Sequence, residues 1–148
     1  MARAAAGSTP EEDLVGAVLT DAFERRERGL AGNLKANVGL EKTIRDYLGT
    51  RHRDNAGSGC PTAALVAEIA RHPEGTRDIF TEKTEQIILL IAARIQARSA
   101  AERRRKAMAI YGMMVGALQL ARAANDRKLS NEMLESAIEG ALALAGER

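Results

Sequence analysis

Apolar residues recur at intervals of three and four positions along much of the chain, which is the spacing that places them on one face of an α-helix. They follow this spacing from Leu14 to Phe23 and again from Leu40 to Leu48. Charged residues fill the opposite side of the first segment over residues 24–28. The pattern therefore predicts amphipathic helices and little else.

Residues at the ends of these segments set the predicted boundaries. Thr9 and Glu12 bracket Pro10 in a capping-box pattern, so we predict that the first helix begins at Pro10. Gly49 is expected to end the second helix, and the polar residues 50–59 are expected to form a loop. Further helices are predicted over residues 62–71, 74–98, 99–124 and 130–146.

The last two of these helices carry explicit start and stop residues. Ser99 and Glu102 form a second capping-box pattern. Ser130 is predicted to cap the last helix, and Gly146 is predicted to end it.

Composition supports an all-helical fold. The chain is 45% hydrophobic and 28% charged, which is a globular balance, but aromatic residues make up only 3% and tryptophan is absent. Strand-forming residues are scarce, and alanine, the best helix former, is frequent. The length of 148 residues is that of one domain. We predict an all-α fold, a single bundle of about six helices over residues 10–148, after a disordered lead of residues 1–9.

Charge and cysteine content narrow the class of protein. The 22 basic and 20 acidic residues nearly cancel to a net charge of +2, so the charge does not indicate a nucleic-acid-binding surface. Cys60 is the single cysteine, which excludes an internal disulfide and fits a reducing compartment. Residues 107–121 carry no charge but are shorter than the roughly 17–25 residues that a membrane-spanning helix needs. We expect a soluble, cytoplasmic protein that does not enter a membrane.

The helix containing residues 107–121 is apolar around its whole circumference. A surface helix normally buries one stripe only, so the second face requires a partner, and we predict that a second copy of the chain supplies it. The alternative is that this helix is the central, fully covered helix of a monomer. The predicted four-helix dimer interface consists of Met108, Gly112, Val115, Gly116, Gln119 and Ala123 with Met133, Leu134, Ala137 and Ala141 of the last helix.

Three segments, in order along the chain, resemble one family of regulators. Residues 59–69 (GCPTAALVAEI) are similar to the sixth helix of TetR-type transcriptional repressors, and residues 111–123 (YGMMVGALQLARA) are similar to the eighth. Residues 12–15 (EDLV) resemble the start of the fourth helix of that family. The resemblance implies a dimer built by the last two helices and an apolar effector pocket inside each protomer.

The resemblance covers the effector-binding and dimerisation core, residues 10–148. Residues 1–9 are too few for the family's three-helix DNA-binding domain, so operator DNA would be bound only through a reader domain outside this chain. The expected ligand is an apolar small molecule. The pocket candidates are large residues on the predicted inward faces: Leu19, Phe23, Tyr47, Leu48, Leu65, Ile69, Ile88, Ile91, Tyr111 and Met114. The alternative function is a stand-alone helical homodimer that binds a protein or a small molecule without DNA.

The residues that could support catalysis are few. His52 and His72 have no second ligand at helical spacing, so we expect neither a metal site nor a cofactor. Cys60 with a histidine is better explained by packing than by a nucleophilic dyad. The basic run over residues 103–106 is interpreted as the solvated start of a helix. The sequence does not predict an enzyme.

Overall fold

The computed structural model describes residues 10, 14, 17–18, 21, 32, 39–55, 57 and 60–146. Over residues 39–55 and 60–146 the chain forms helices and no strand, which confirms the all-α prediction. The helices are α1 (Leu40–Tyr47), α2 (Thr50–Asp54), α3 (Pro61–Ile69), α4 (Glu74–Ala92), α5 (Ala100–Ala123) and α6 (Arg127–Ala145). The predicted disordered lead of residues 1–9, and most of the helix predicted to begin at Pro10, lie outside the described residues.

Several predicted helix ends are confirmed. Pro61 occupies the first position of α3, where its missing N–H costs nothing. Ser99 caps α5, because its hydroxyl accepts a hydrogen bond from the Glu102 main-chain nitrogen at 3.1 Å. The Glu102 carboxylate completes the motif by accepting from the main-chain nitrogen of Arg98 at 3.0 Å. Gly146 ends α6 in the left-handed region at a φ of 83°, which favours glycine.

The prediction of a loop over residues 50–59 is wrong in its first half, where α2 forms. The buried residue of this one-turn helix is Arg53, so no apolar periodicity marks it. Arg53 donates to Ser130 and Asn131 of α6, and these long-range bonds compensate for the burial of its charge. Tertiary contacts therefore stabilise a helix that local sequence does not predict.

The prediction that one helix runs to residue 98 is also wrong, because α4 ends at Ala92. The helix is followed by hydrogen bonds of the 3₁₀ type. The main-chain nitrogens of Arg94 and Ile95 donate to carbonyls three residues back, those of Ile91 and Ala92, at 3.0 and 3.3 Å. Ile95 is buried in the core directly after this turn. Neither glycine nor proline interrupts the segment, so packing overrides helix propensity at this position.

Ser130 does not cap the last helix, contrary to the prediction. The cap is Asp126, whose carboxylate accepts from the main-chain nitrogens of Lys128 and Leu129 at 2.8 and 3.3 Å. Ser130 is instead buried in the first turn of α6 and donates to the Ala121 carbonyl at 2.6 Å. The helix thus begins at Arg127, three residues earlier than predicted, because aspartate is an equally good cap and lies closer to the turn.

Helix α5 lies at the centre of the described fold and packs against α3, α4 and α6. It runs antiparallel to α6, since Ser130 near the start of α6 bonds Ala121 near the end of α5, and Gly140 near the end of α6 lies beside Met113. The core includes the fully buried side chains of Ile44, Leu48, Ile91, Ile110, Met114 and Leu118. Among the described helices, none combines the length and apolar character that crossing a membrane requires.

Candidate dimer interface

The two sides of α5 differ in exposure although both are apolar. One side enters the core through Ile110, Met114 and Leu118, which are spaced at three and four residues. The other side reaches solvent, with Met108 41% exposed and Leu120 60% exposed. From Met108 onward, the accessible residues of this second side are Met108, Ala109, Gly112, Gly116, Gln119, Leu120 and Ala123, and none of them is charged; the exposed Arg105 lies one turn before this stretch.

Two glycines lie at the middle of this accessible side. A Cβ atom added to Gly112 or Gly116 would meet no atom within 4 Å. Packing within the chain therefore does not require a glycine at either position. Each glycine in a helix interior costs roughly 0.5–1 kcal/mol relative to alanine. A second backbone approaching this side of α5 would account for both residues.

Helix α6 extends the same accessible side. Leu129 in its first turn is 44% exposed, and Met133 and Gly140 are half-buried at spacings of four and seven residues. A Cβ on Gly140 would lie 3.0 Å from the Met113 sulfur, so this glycine, unlike those of α5, is explained by contact between the two helices. We define the α5–α6 face as Met108, Ala109, Gly112, Gly116, Gln119, Leu120 and Ala123 with Leu129, Met133 and Gly140.

The predicted interface residues divide into two groups. Met108, Gly112 and Ala123 are exposed, and Gly116, Gln119 and Met133 are half-buried, so these six lie on the α5–α6 face. Val115, Leu134, Ala137 and Ala141 are buried in the core of the single chain. These four side chains pack inside the single chain and are not exposed on the α5–α6 face. Leu120 and Leu129 also lie on the α5–α6 face but were not predicted to, although their spacing from Gly116 and Met133 is helical.

The predicted pocket residues are also divided. Leu19 and Phe23 lie outside the described residues. Six others pack in one core cluster: Tyr47, Leu48, Ile88, Ile91, Tyr111 and Met114. Leu65 and Ile69 belong to a second, smaller cluster with Phe80. The structure therefore does not bring all eight described candidates together.

Tyr111 was predicted to line the pocket, but its hydroxyl is bonded within the chain. It donates to the Thr62 hydroxyl at 2.9 Å, which ties α5 to the first turn of α3. Burial raises the pKa of Tyr111 above its ordinary value of 10.0, and the nearby Cys60 raises it further. The hydroxyl is thus a neutral donor in the core.

A pocket of about 400 Å³ opens between α3 and the start of α4. Its apolar wall is formed by Val66, Ile69 and Phe80, and Arg77 and Asp78 line its polar side. Ile69 is the one predicted pocket residue among those that line it. This pocket is open to solvent, and none of the residues that line it belongs to the large core cluster.

The residues considered for catalysis take structural contacts. His52 uses a ring nitrogen to accept from the Cys60 main-chain nitrogen, so this contact does not activate the thiol. Within the described part of the chain, no three His, Cys, Asp or Glu residues group closely enough to hold a metal ion. In the basic run, Arg104 forms a bidentate ion pair with the Glu85 carboxylate of α4. The Lys106 Nζ lies 3.7 Å from Oε1 of Glu102.

Comparison with known proteins does not extend these observations. No family model matches the chain, and no curated protein matches it at a significant level.

Proposed function

We propose that the chain is a self-associating helical core that forms a homodimer through the α5–α6 face. The observation that carries this proposal is an uncharged, accessible helix face with Gly112 and Gly116 at its centre. Exposed apolar patches of this kind mark interaction sites, because covering them removes apolar surface from water. A second copy is the simplest partner, since a two-fold axis through the glycines matches the face with itself.

The same geometry explains why glycine is tolerated at two exposed helix positions. Without side chains, the two α5 backbones could approach closely enough for Cα–H···O contacts between them. Met108 and Leu120 would then pack on either side of the close approach. The polar Gln119 amide could bond across the axis without introducing a charge into the interface.

We further propose that this dimer is the effector-binding and dimerisation core of a TetR-type transcriptional regulator. The resemblance of residues 59–69 and 111–123 to the family's sixth and eighth helices supports this. The element order also agrees, because the dimer helices of that family are its last long ones. In that role the ligand is an apolar small molecule, and operator DNA is bound through a separate reader domain.

Native mass spectrometry of Gly116→Arg tests the dimer. The wild-type chain should appear at twice 15.9 kDa. The variant should be monomeric but fully helical by circular dichroism, because a Cβ at position 116 meets no atom of the single chain within 4 Å and the arginine stem can extend into solvent. Gly75→Arg is the matched control, since Gly75 is exposed in α4 and also lacks a Cβ neighbour within 4 Å. The control should remain dimeric.

A monomeric wild-type chain, or an unchanged dimer in Gly116→Arg, would contradict the proposed interface. The effector is tested separately with a panel of apolar compounds and thermal unfolding. At least one compound should raise the melting temperature, because a ligand that binds only the native state stabilises it by mass action. The absence of any shift would count against the effector and leave the dimer proposal standing.

The regulator is distinguished from a stand-alone dimer by the coding sequence upstream of Met1. An in-frame helix-turn-helix would support the regulator. A stop codon immediately upstream would favour a dimer that acts without DNA binding.

A further inference from the structure

His52 connects three helices through its ring and its carbonyl. The ring nitrogen Nδ1 lies 2.6 Å from the carbonyl oxygen of Tyr47, at the end of α1. The other nitrogen, Nε2, accepts a hydrogen bond from the main-chain nitrogen of Cys60, at the start of α3, at 3.2 Å. The His52 carbonyl accepts from the Arg122 guanidinium of α5 at 2.7 Å.

The two ring contacts determine where the proton of His52 is. A carbonyl oxygen can only accept, so Nδ1 must carry a hydrogen. A main-chain N–H can only donate, so Nε2 must present its lone pair. The ring is therefore neutral and in the Nδ1–H tautomer. The imidazole and Tyr47 rings also pack in a T-shaped arrangement, with centroids 4.7 Å apart and an interplanar angle of 78°.

We propose that His52 is a proton-sensitive latch that holds the start of α3 against the end of α1 only while the imidazole is neutral. Adding a proton to Nε2 would place two donors opposite each other, and the bond to Cys60 would be lost. The Nδ1 bond to Tyr47 would survive, because that nitrogen remains a donor. Protonation therefore releases α3 selectively, and we expect this release in mildly acidic solution, where histidine is the side chain that gains a proton.

The start of α3 is a segment that such a release would loosen. Cys60 occupies the cap position and makes no side-chain cap bond. The first turn is also held by the Tyr111–Thr62 hydrogen bond, and both Cys60 and Thr62 are buried. Opening the latch should therefore expose the Cys60 thiol while leaving the rest of the bundle folded.

The charged groups around the latch come from α2, α5 and α6. Arg122 of α5 contacts the His52 carbonyl through its positively charged guanidinium. Asp54 is the nearby anion, paired with Arg53 and with Arg127 of α6. These partners hold the pKa of Asp54 well below its ordinary value, so its charge is constant between pH 7.5 and pH 5.5. Burial raises the pKa of Tyr111, so that hydroxyl is uncharged in that range.

The reactivity of Cys60 reports the state of the latch, because it is the single cysteine of the chain. The reagent is 4,4′-dithiodipyridine, which reacts with thiols in mildly acidic solution. The rate at pH 7.5 and pH 5.5 is divided by the rate of the urea-unfolded chain at the same pH. This ratio should rise about tenfold on acidification in the wild type, which corresponds to the loss of one hydrogen bond of ordinary strength.

Two substitutions separate the latch from general acid sensitivity. His52→Gln retains an acceptor near the Nε2 position but does not titrate, so the ratio should no longer change with pH. His72→Gln removes the other histidine, at the end of α3, and should behave as the wild type. A wild-type ratio that is independent of pH, or a change that disappears in His72→Gln instead, would overturn the proposal.

Ring nitrogen chemical shifts of the wild-type protein provide a test that needs no variant. At pH 7.5 the His52 ring should show a protonated Nδ1 and an unprotonated Nε2. The opposite tautomer, or an imidazolium at this pH, would overturn the latch. Repeating both measurements in Gly116→Arg should give the same results, because the latch lies within one chain and does not depend on the proposed dimer.

Discussion

The α5–α6 hairpin is held by apolar packing along its length, whereas the junction of α1, α2 and α3 is held by side chains bonded to main-chain groups. In the hairpin, Leu118 and Leu134 are buried in the core. In the junction, Arg122 bonds two carbonyls of α2, and His52 bonds the main chain of α1 and α3. Apolar packing is insensitive to proton concentration, but polar contacts of this kind are directional and can be switched.

This difference assigns distinct tasks to the two regions. In the proposed dimer the hairpin supplies the surface on which a second chain packs, and its exposed glycines add no charge to that surface. The junction is small and depends on the ionisation of individual groups. We therefore expect association to be controlled at the hairpin and sensitivity to solution conditions to arise at the junction.

Truncating a core side chain of the hairpin should have the largest effect. Leu118→Ala removes a side chain that is fully buried and should lower the free energy of unfolding by about 3 kcal/mol. Leu120→Ala, two residues along, should change it by less than about 0.5 kcal/mol. Urea unfolding in the Gly116→Arg background measures this without a contribution from association. Equal losses for the two leucines would mean that α5 does not have the two distinct sides described.

Within the junction, substitution of Arg53 should have the largest effect on stability, because its side chain is only 5% exposed. Arg53→Ala removes the donor to Ser130 and Asn131. It should lower the free energy of unfolding by about 2 kcal/mol, because the buried Ser130 hydroxyl loses a hydrogen-bond partner. Arg51→Ala changes an exposed arginine of the same helix and is the control. The comparison is made by urea unfolding at pH 7. An Arg53→Ala variant as stable as the control would show that these bonds contribute little to the junction.

The cap of α6 should have an intermediate effect. Asp126→Ala removes the acceptor for two main-chain N–H groups and should lower the free energy of unfolding by about 1 kcal/mol. Asn125→Ala, at the exposed neighbouring position, should be nearly neutral. Thermal unfolding of both variants measures the difference. If Ser130→Ala behaves as a cap variant and Asp126→Ala does not, the helix begins where the sequence pattern first predicted.

The hairpin was the more predictable region because its determinants are local. Apolar spacing located α5, the Ser99 and Glu102 pair located its start, and Gly146 located the end of α6. The same spacing also placed Met108, Gly112 and Ala123 on the accessible face. Sequence could not separate them from Val115 and Leu134, because an apolar residue looks the same whether its own chain or a second chain covers it.

The junction was not predictable for the opposite reason. Arg53, Arg122 and His52 act through partners that are distant in sequence or that are main-chain groups. Nothing in residues 50–54 marks a helix whose buried side chain is an arginine. The predicted pocket failed to converge for a related cause: helical faces identify inward positions, but they do not show that Ile69 and Met114 lie in different clusters.

The smallest predicted effect is the acid dependence of the Asp54 ion pairs. Hydrogen bonds from Arg53 and Arg127 hold the pKa of Asp54 well below its ordinary value of 3.8. The folded chain therefore binds fewer protons than the unfolded chain, and the resulting stability is present above the ordinary pKa and is lost as the pH falls below it.

Asp54→Asn removes this linkage, so its free energy of unfolding should fall less steeply between pH 4.5 and pH 2.5 than that of the wild type. Glu85, whose pKa Arg104 lowers, contributes a separate share of the slope that Glu85→Gln should remove. Because carboxylates titrate below pH 5, this loss is distinct from the release of the His52 latch, which is measured between pH 7.5 and pH 5.5. Identical slopes in the wild type and Asp54→Asn would show that the folded structure does not favour the charged form of Asp54, so the junction would be proton-sensitive through His52 alone.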